Sequence, residues 1–227
     1  VAVGHWGIRK YILKSAMRAR SSALIVRAPI SLPKAPHTPP ATERLILVSD
    51  DTQTSKPRHV FLIDGSGFLF RAYYGIKQRM TRADGTLVNA VHGFSTMLMK
   101  MIDDTDADHI AVIFDSARKT FRNDIYPEYK AHRPPPPDDL IPQFELVREA
   151  TRAFNVACVD MPGFEADDLI ATYAAMAKKE GAEVTVVSSD KDLMQLVDDK
   201  VTMFDAMKNR EIGPDQVMEK FGVGPDR

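Results

Sequence analysis

The strongest constraint on this chain is a series of short, unbroken apolar runs, beginning at His59, most of which end in an acid. They are His59–Ile63 before Asp64, His109–Phe114 before Asp115, Asn155–Val159, Glu183–Val187 before Ser188, Ser189 and Asp190, and Val201–Phe204 before Asp205. Continuous apolarity, as opposed to alternation, marks strands buried on both faces. Helix-length segments separate them: Val88–Asp103, Asp138–Phe154, Glu165–Glu180 and Lys191–Val197. In Glu165–Glu180, the residues Ala166, Leu169, Ile170, Tyr173 and Ala177 recur at helical spacing, and Gly181 follows as a stop. Alternating strands and helices predict an α/β domain in three layers, a central and mainly parallel sheet flanked by helices.

Charge divides the chain in two. Residues 1–58 carry ten Lys/Arg against three Asp/Glu, and the remaining 169 carry twenty against twenty-eight, which leaves a formal net charge of −1. The basic part is rich in Arg, Ser and Pro, with Pro29, Pro33, Pro36, Pro39 and Pro40 close together. Proline at that density prevents helix and ladder formation, so about 28–44 reads as a linker and 1–58 as a disordered leader. Its acid-poor composition also fits an organellar transit segment, a reading ranked second. A lone Cys158 excludes an internal disulfide. No stretch approaches the roughly 18 apolar residues of a membrane-spanning helix.

The carboxylates of the body point to chemistry. Ligands of an open parallel sheet gather beyond the carboxyl ends of its strands, where Asp64, Asp115, Asp190 and Asp205 are expected. One such acid is ordinarily a turn former or a helix cap. Several at one edge repel one another unless something positive lies between them. Glu165, Asp167 and Asp168 open a helix together, more acids than complementing its dipole requires, and Asp192 follows Asp190 closely. With Asp205 left aside, seven carboxylates can face one cavity. Oxygen donors without Cys or His favour Mg²⁺ or Mn²⁺, and a pair of such ions can serve phosphodiester hydrolysis.

A basic segment supplies the counterpart. Arg118, Lys119, Phe121, Arg122, Tyr126, Tyr129, Lys130, His132 and Arg133 precede the stiff run Pro134–Pro137. Cations interleaved with aromatics suit phosphate contact and base stacking; the plainer alternative is a solvated loop anchored by its rings. Arg71 is expected on the helix after the first strand, within reach of the site. The triplet Gly65–Gly67 lacks the spacing of a nucleotide-binding phosphate loop. Met97, Met99 and Met101 read as core filling, and His92 and His109 as structural.

At these residues the sequence resembles the flap-nuclease family, in the form of the N-terminal 5′-3′ exonuclease domain of bacterial DNA polymerases I. The matching stretches run in family order: Phe61–Ser66, Arg71–Tyr74, Val112–Asp115, Lys119–Arg122, Tyr129–Pro135, Gly163–Asp168 and Ser189–Leu196. The resemblance implies a PIN-like fold with two or more divalent ions held by Asp64, Asp115, Glu165, Asp167, Asp168, Asp190 and Asp192. It implies basic catalytic roles for Arg71, Lys130 and Arg133, and DNA contacts from Arg118, Lys119, Phe121, Arg122, Tyr129 and His132. Residues 118–137 would belong to a helical arch that admits a single-stranded 5′ end. DNA with a 5′ flap or 5′ end is the implied partner of a monomer in the bacterial cytoplasm, with no membrane partner. The family continues into a helix-three-turn-helix element beyond the pattern matched here, so a catalytically impaired DNA-binding fragment is one alternative. A PIN-type ribonuclease is another. A chain beginning at His59 is expected to fold as the full chain does; loss of a cooperative melting transition on removing residues 1–58 would contradict the leader assignment.

Overall fold

A computed structural model describes residues 58–225. The leader assignment, with its linker and transit alternatives, lies outside the described residues. The elements run β1 (His59–Asp64), α1 (Gly65–Gly75), α2 (Asn89–Asp104), β2 (His109–Ile113), α3 (Phe121–Ile125), α4 (Ile141–Ala153), β3 (Ala157–Val159), α5 (Ala166–Lys179), β4 (Glu183–Val187), a 3-10 turn (Lys191–Leu196), β5 (Val201–Asp205), β6 (Arg210–Ile212) and α6 (Pro214–Phe221). The sheet order is β3-β2-β1-β4-β5-β6. The first five strands are parallel, and β6 pairs antiparallel with β5 at the edge.

Each central strand feeds two cores, which explains its unbroken apolarity. Leu62 packs with Ile113, Val186, Leu169, Ile170 and Met203 on the face covered by α5 and α6. Its neighbours Phe61 and Ile63 pack with Phe68, Leu69, Phe94, Leu98 and Val147 on the face covered by α1, α2 and α4. Full burial of side chains this size contributes roughly 1.5–3 kcal/mol each, so the layers themselves are the main stabilising feature. Among the described residues no helix is long and apolar enough to cross a membrane.

Several local expectations need correction. Strand β6 was not anticipated: Arg210 and Glu211 are exposed, and only Ile212 is buried. The segment Lys191–Leu196 winds as a 3-10 helix instead of an α-helix. Within 118–137 only Phe121–Ile125 is helical, and the rest is turn, over 127–132, and irregular chain. Met101 is buried and Met97 partly so, but Met99 is exposed. His92 and His109 are exposed as well, so neither packs in a core.

A buried amide joins three helices. Helix α2 has no capping side chain of its own. The Gln143 carbonyl of α4 accepts from Ala90 N at 2.9 Å and Val91 N at 3.3 Å, satisfying two orphan donors of α2. Its amide donates to Asn89 Oδ1 at 3.2 Å and to the Asp139 carbonyl at 3.0 Å. Asn89 Nδ2 in turn donates to the Ile76 carbonyl at 3.2 Å, just beyond the end of α1. Gln143→Leu strands these groups in a dry site and is expected to lower stability by about 2 kcal/mol. Denaturant melts check it, and an unchanged midpoint would show that the network carries little.

Candidate carboxylate site and its basic flank

The order of the strands reverses beside β1, which leaves a crevice at the carboxyl ends of β1 and β4. Asp64 closes β1 there, almost fully buried. Its Oδ1 accepts from Gly67 N at 2.8 Å and its Oδ2 from Ser188 Oγ at 2.9 Å. A Cβ on Gly67 would lie 2.5 Å from Asp64 Oδ2, and one on Gly65 would lie 2.5 Å from the Phe114 ring. The glycine pair is thus a packing requirement in the first turn of α1, where Asp64 is the cap.

Neighbouring acids are held by their own partners. Asp115 N donates to Ser66 Oγ at 2.9 Å, and Asp115 Oδ1 accepts from Ala166 N at 2.8 Å. That second bond satisfies one orphan donor in the first turn of α5. Arg148, lying over the Phe114 ring, donates to the Asp115 carbonyl at 2.7 Å. Ser188 Oγ accepts from Asp190 N at 3.0 Å, and Asp190 Oδ1 accepts from Asp192 N at 2.9 Å.

Burial raises the Asp64 carboxyl above its ordinary range, the bonds from Gly67 and Ser188 lower it, and the charges of Asp115 and Asp190 raise it again; the net effect is upward. The Asp167 carboxyl is pushed up to about 7, first by burial and then by the charges of Asp64, Asp190, Asp115 and Glu165. Among the described residues no three His, Cys, Asp or Glu side chains form a ready coordination shell. Their chemistry nonetheless fits a hard divalent cation: oxygen-only donors at one strand edge whose mutual repulsion a cation would relieve.

Two of the predicted ligands face protein cations instead. Arg122 donates to both oxygens of Asp168, each at 2.7 Å, and its Nη1 lies 3.5 Å from Glu165 Oε2. Lys130 Nζ donates to Glu165 Oε1 at 2.7 Å, and Tyr129 OH to Glu165 Oε2 at 3.0 Å. Asp168 Oδ2 also accepts from Glu165 N at 3.0 Å. Burial lowers the Lys130 pKa, but Glu165 and Tyr129 outweigh it, so the net shift is upward. The bond to Asp168 raises Arg122 above its already high range. Lys130 adopts φ 54°, a left-handed conformation costly for a non-glycine residue, in the turn that brings its ammonium to Glu165.

The other candidates scatter along the rim. Arg71 donates to Ser189 Oγ at 2.5 Å, beside Asp190. Arg118 donates to the Arg133 carbonyl, and Lys119 lies 3.4 Å from Asp124. Phe121 packs on Phe164 at 5.6 Å between ring centroids, so it anchors the segment. His132, Arg133 and Asp192 are exposed. Asp205 is a turn former: its Oδ1 accepts from Met207 N at 3.0 Å and Lys208 N at 3.4 Å. Sequence reasoning missed Ser66, Ser188 and Arg148; two serines directly preceding Asp190 and one between glycines were the available signal.

Residues 59–222 match the family described as 5′-3′ exonuclease, N-terminal resolvase-like domain. DNA polymerase I of Rhizobium leguminosarum is 54% identical over 179 residues, covering 76% of this chain and 18% of that protein. A 5′-3′ exonuclease of Aquifex aeolicus is 34% identical over 168 residues, covering 74% of this chain and 58% of that protein. The chain therefore spans about a fifth of the polymerase and somewhat over half of the exonuclease. Among solved structures, the T5 D15 protein co-crystallised with metal ions superposes with a TM-score of 0.59 at 22% identity, over 73% of this chain and 62% of that one. The T5 D15 flap endonuclease in a pseudo-enzyme-product complex with DNA and metal ions gives 0.54 at 22%, over 73% and 61%. These likenesses agree on the fold.

Because folding raises the Asp167 pKa, its contribution to stability is intact near pH 4 and is lost as pH rises towards about 7. Without divalent ions, Asp167→Asn is expected to be more stable than the parent by about 2 kcal/mol at pH 8, allowing for partial solvent contact, and equal to it at pH 4. Chelator-treated melts at the two pH values check the sign, and a pH-independent difference would contradict the electrostatic origin.

Proposed function

The chain belongs to the family of 5′-3′ exonuclease N-terminal, resolvase-like domains, and from that premise we propose that it is the catalytic part of a divalent-metal-dependent nuclease. Its substrates are DNA 5′ single-stranded ends and 5′ flaps, and its setting is replication and repair in the bacterial cytoplasm, acting as a monomer. The observation that carries this proposal is the crowding of Asp64, Asp115, Asp167 and Asp190 beside a segment rich in cations and aromatics; burial first, and then the neighbouring charges, push Asp167 up to about 7. The phosphodiester is a fitting substrate because it bears the charge that such a flank attracts and the acids alone would repel.

Asp64, Asp115, Asp167 and Asp190 would hold two or more Mg²⁺ or Mn²⁺ ions, with Glu165, Asp168 and Asp192 at their margin. When bound, such ions supply Lewis-acid activation of water and neutralise charge on the phosphate. Lys130, bonded to Glu165, and Arg71, bonded to Ser189 beside Asp190, bring positive charge to the phosphate as negative charge develops. The Tyr129 ring offers a stacking face for a base. Arg118, Lys119, His132 and Arg133 line the exposed part of the segment, where a single strand can be tracked.

A second reading, a DNA-binding form that hydrolyses little, is favoured by the engagement of Glu165 and Asp168 with Lys130 and Arg122. One assay separates them, using the full chain, a labelled 5′-flap duplex, matched RNA, and Mg²⁺ or Mn²⁺. Flap cleavage that chelation abolishes and Asp115→Asn reduces at least ~10³-fold supports the nuclease. Binding without cleavage supports the second reading, and preferential RNA cleavage points to a ribonuclease. Lys130→Ala is expected to lower kcat about 10²-fold with little change in KM, because its charge counts most in the transition state. A loss confined to KM would refute that role.

A further inference from the structure

We propose that Arg122 is a positioning residue and not a nucleic-acid contact: its guanidinium fixes the Asp168 carboxylate and, through it, the Glu165, Tyr129 and Lys130 side chains at the mouth of the acid cluster. The proposal rests on the nuclease reading for its catalytic consequence, but its geometric part stands independently.

The guanidinium is already committed. Two parallel bonds of 2.7 Å join it to both oxygens of Asp168, the fork-to-fork geometry that only arginine supplies. Its planar group lies over the Phe121 ring at 4.7 Å and near the Tyr129 ring at 5.8 Å. The side chain is 30% exposed, whereas that of Lys119 on the same segment is 77% exposed. A phosphate would have to displace a nearly buried carboxylate to reach it.

The contacts beyond Asp168 give the pairing a purpose. Asp168 Oδ2 accepts from Glu165 N, so holding Asp168 also holds the entry to α5. Glu165 then accepts from both Lys130 and Tyr129. Phe121 N donates to the Gly163 carbonyl at 2.9 Å, and Asn123 Nδ2 to the Tyr129 carbonyl at 3.1 Å, so α3 is tied both to the loop before α5 and to the turn bearing Lys130. Arg122 sits between these ties and closes the only fork in the set.

The test compares Arg122→Ala and Arg122→Lys with the parent full chain in three measurements. The first is 5′-flap binding in chelator across a salt series, with Lys119→Ala as the phosphate-contact control. The expected slope of log Kd against log salt is unchanged in both Arg122 variants and falls by about one in the control. The second is turnover in Mg²⁺: kcat falls about 30-fold or more with KM within about threefold, and lysine does not rescue because it cannot make the fork. The third is a melting double-mutant cycle between Arg122→Ala and Asp168→Asn, expected to be strongly non-additive. A slope reduced by about one in Arg122→Ala, an additive cycle, or a lowered melting temperature with unchanged kcat would each overturn the proposal. Absence of parent cleavage on any substrate would defeat the nuclease reading instead, and the salt slope and the cycle would still decide what Arg122 does.

Discussion

Mutual repulsion among carboxylates at one strand edge is the constraint on which the rest of this structure turns. Left to electrostatics alone, Asp64, Asp115, Asp167 and Asp190 would not gather at one strand edge, and Asp167 reports the combined cost of burial and of its neighbours' charges through a pKa moved to about 7. The fold holds Asp64 and Asp115 there by hydrogen bonds with uncharged groups: the backbone amides of Gly67 and Ala166, and the hydroxyls of Ser66 and Ser188. Each of those bonds steadies one acid without cancelling its charge. The crevice therefore stays negative, and an external cation or protonation of one of its acids would relax it.

Part of the charge of the basic segment is turned inward, towards the protein's own acids. Lys130 and Arg122 neutralise Glu165 and Asp168, so the seven predicted ligands divide into a repelling inner set and a paired outer set, with Asp192 exposed beside them. The division has a simple physical origin. Glu165 and Asp168 lie on one face of the first turn of α5, the face that meets the segment across the Gly163 contact, whereas Asp167 points to the sheet edge.

Much of this was legible in the sequence because burial on two faces leaves a plain mark. Strands β1 and β4 and helix α5 stand within a residue or so of their expected limits, since Leu62, Val186 and Leu169 each need apolar neighbours on every side. Strand β6 was not legible, because an edge strand with one buried side chain has no period to read. The convergence of acids at one edge was readable from their places after strands, and Asp205 shows the limit of that rule: it obeys the pattern yet only shapes a turn. The pairing of Arg122 with Asp168 lay beyond reach, since 46 residues separate them and nothing local distinguishes an arginine that grips a carboxylate from one that awaits a phosphate.

The acids that form the crevice are drawn from the ends of β1 and β2, the start of α5 and the residues just after β4, elements brought side by side only by long-range parallel pairing. A nascent polypeptide emerging through β2 carries two of these side chains but no centre, because β4 has not yet been made. Assembly of the crevice thus waits on the long-range pairing of β4 with β1. A half-made or locally unravelled chain therefore holds the separate acids but not their cluster, a dependence set by strand order alone.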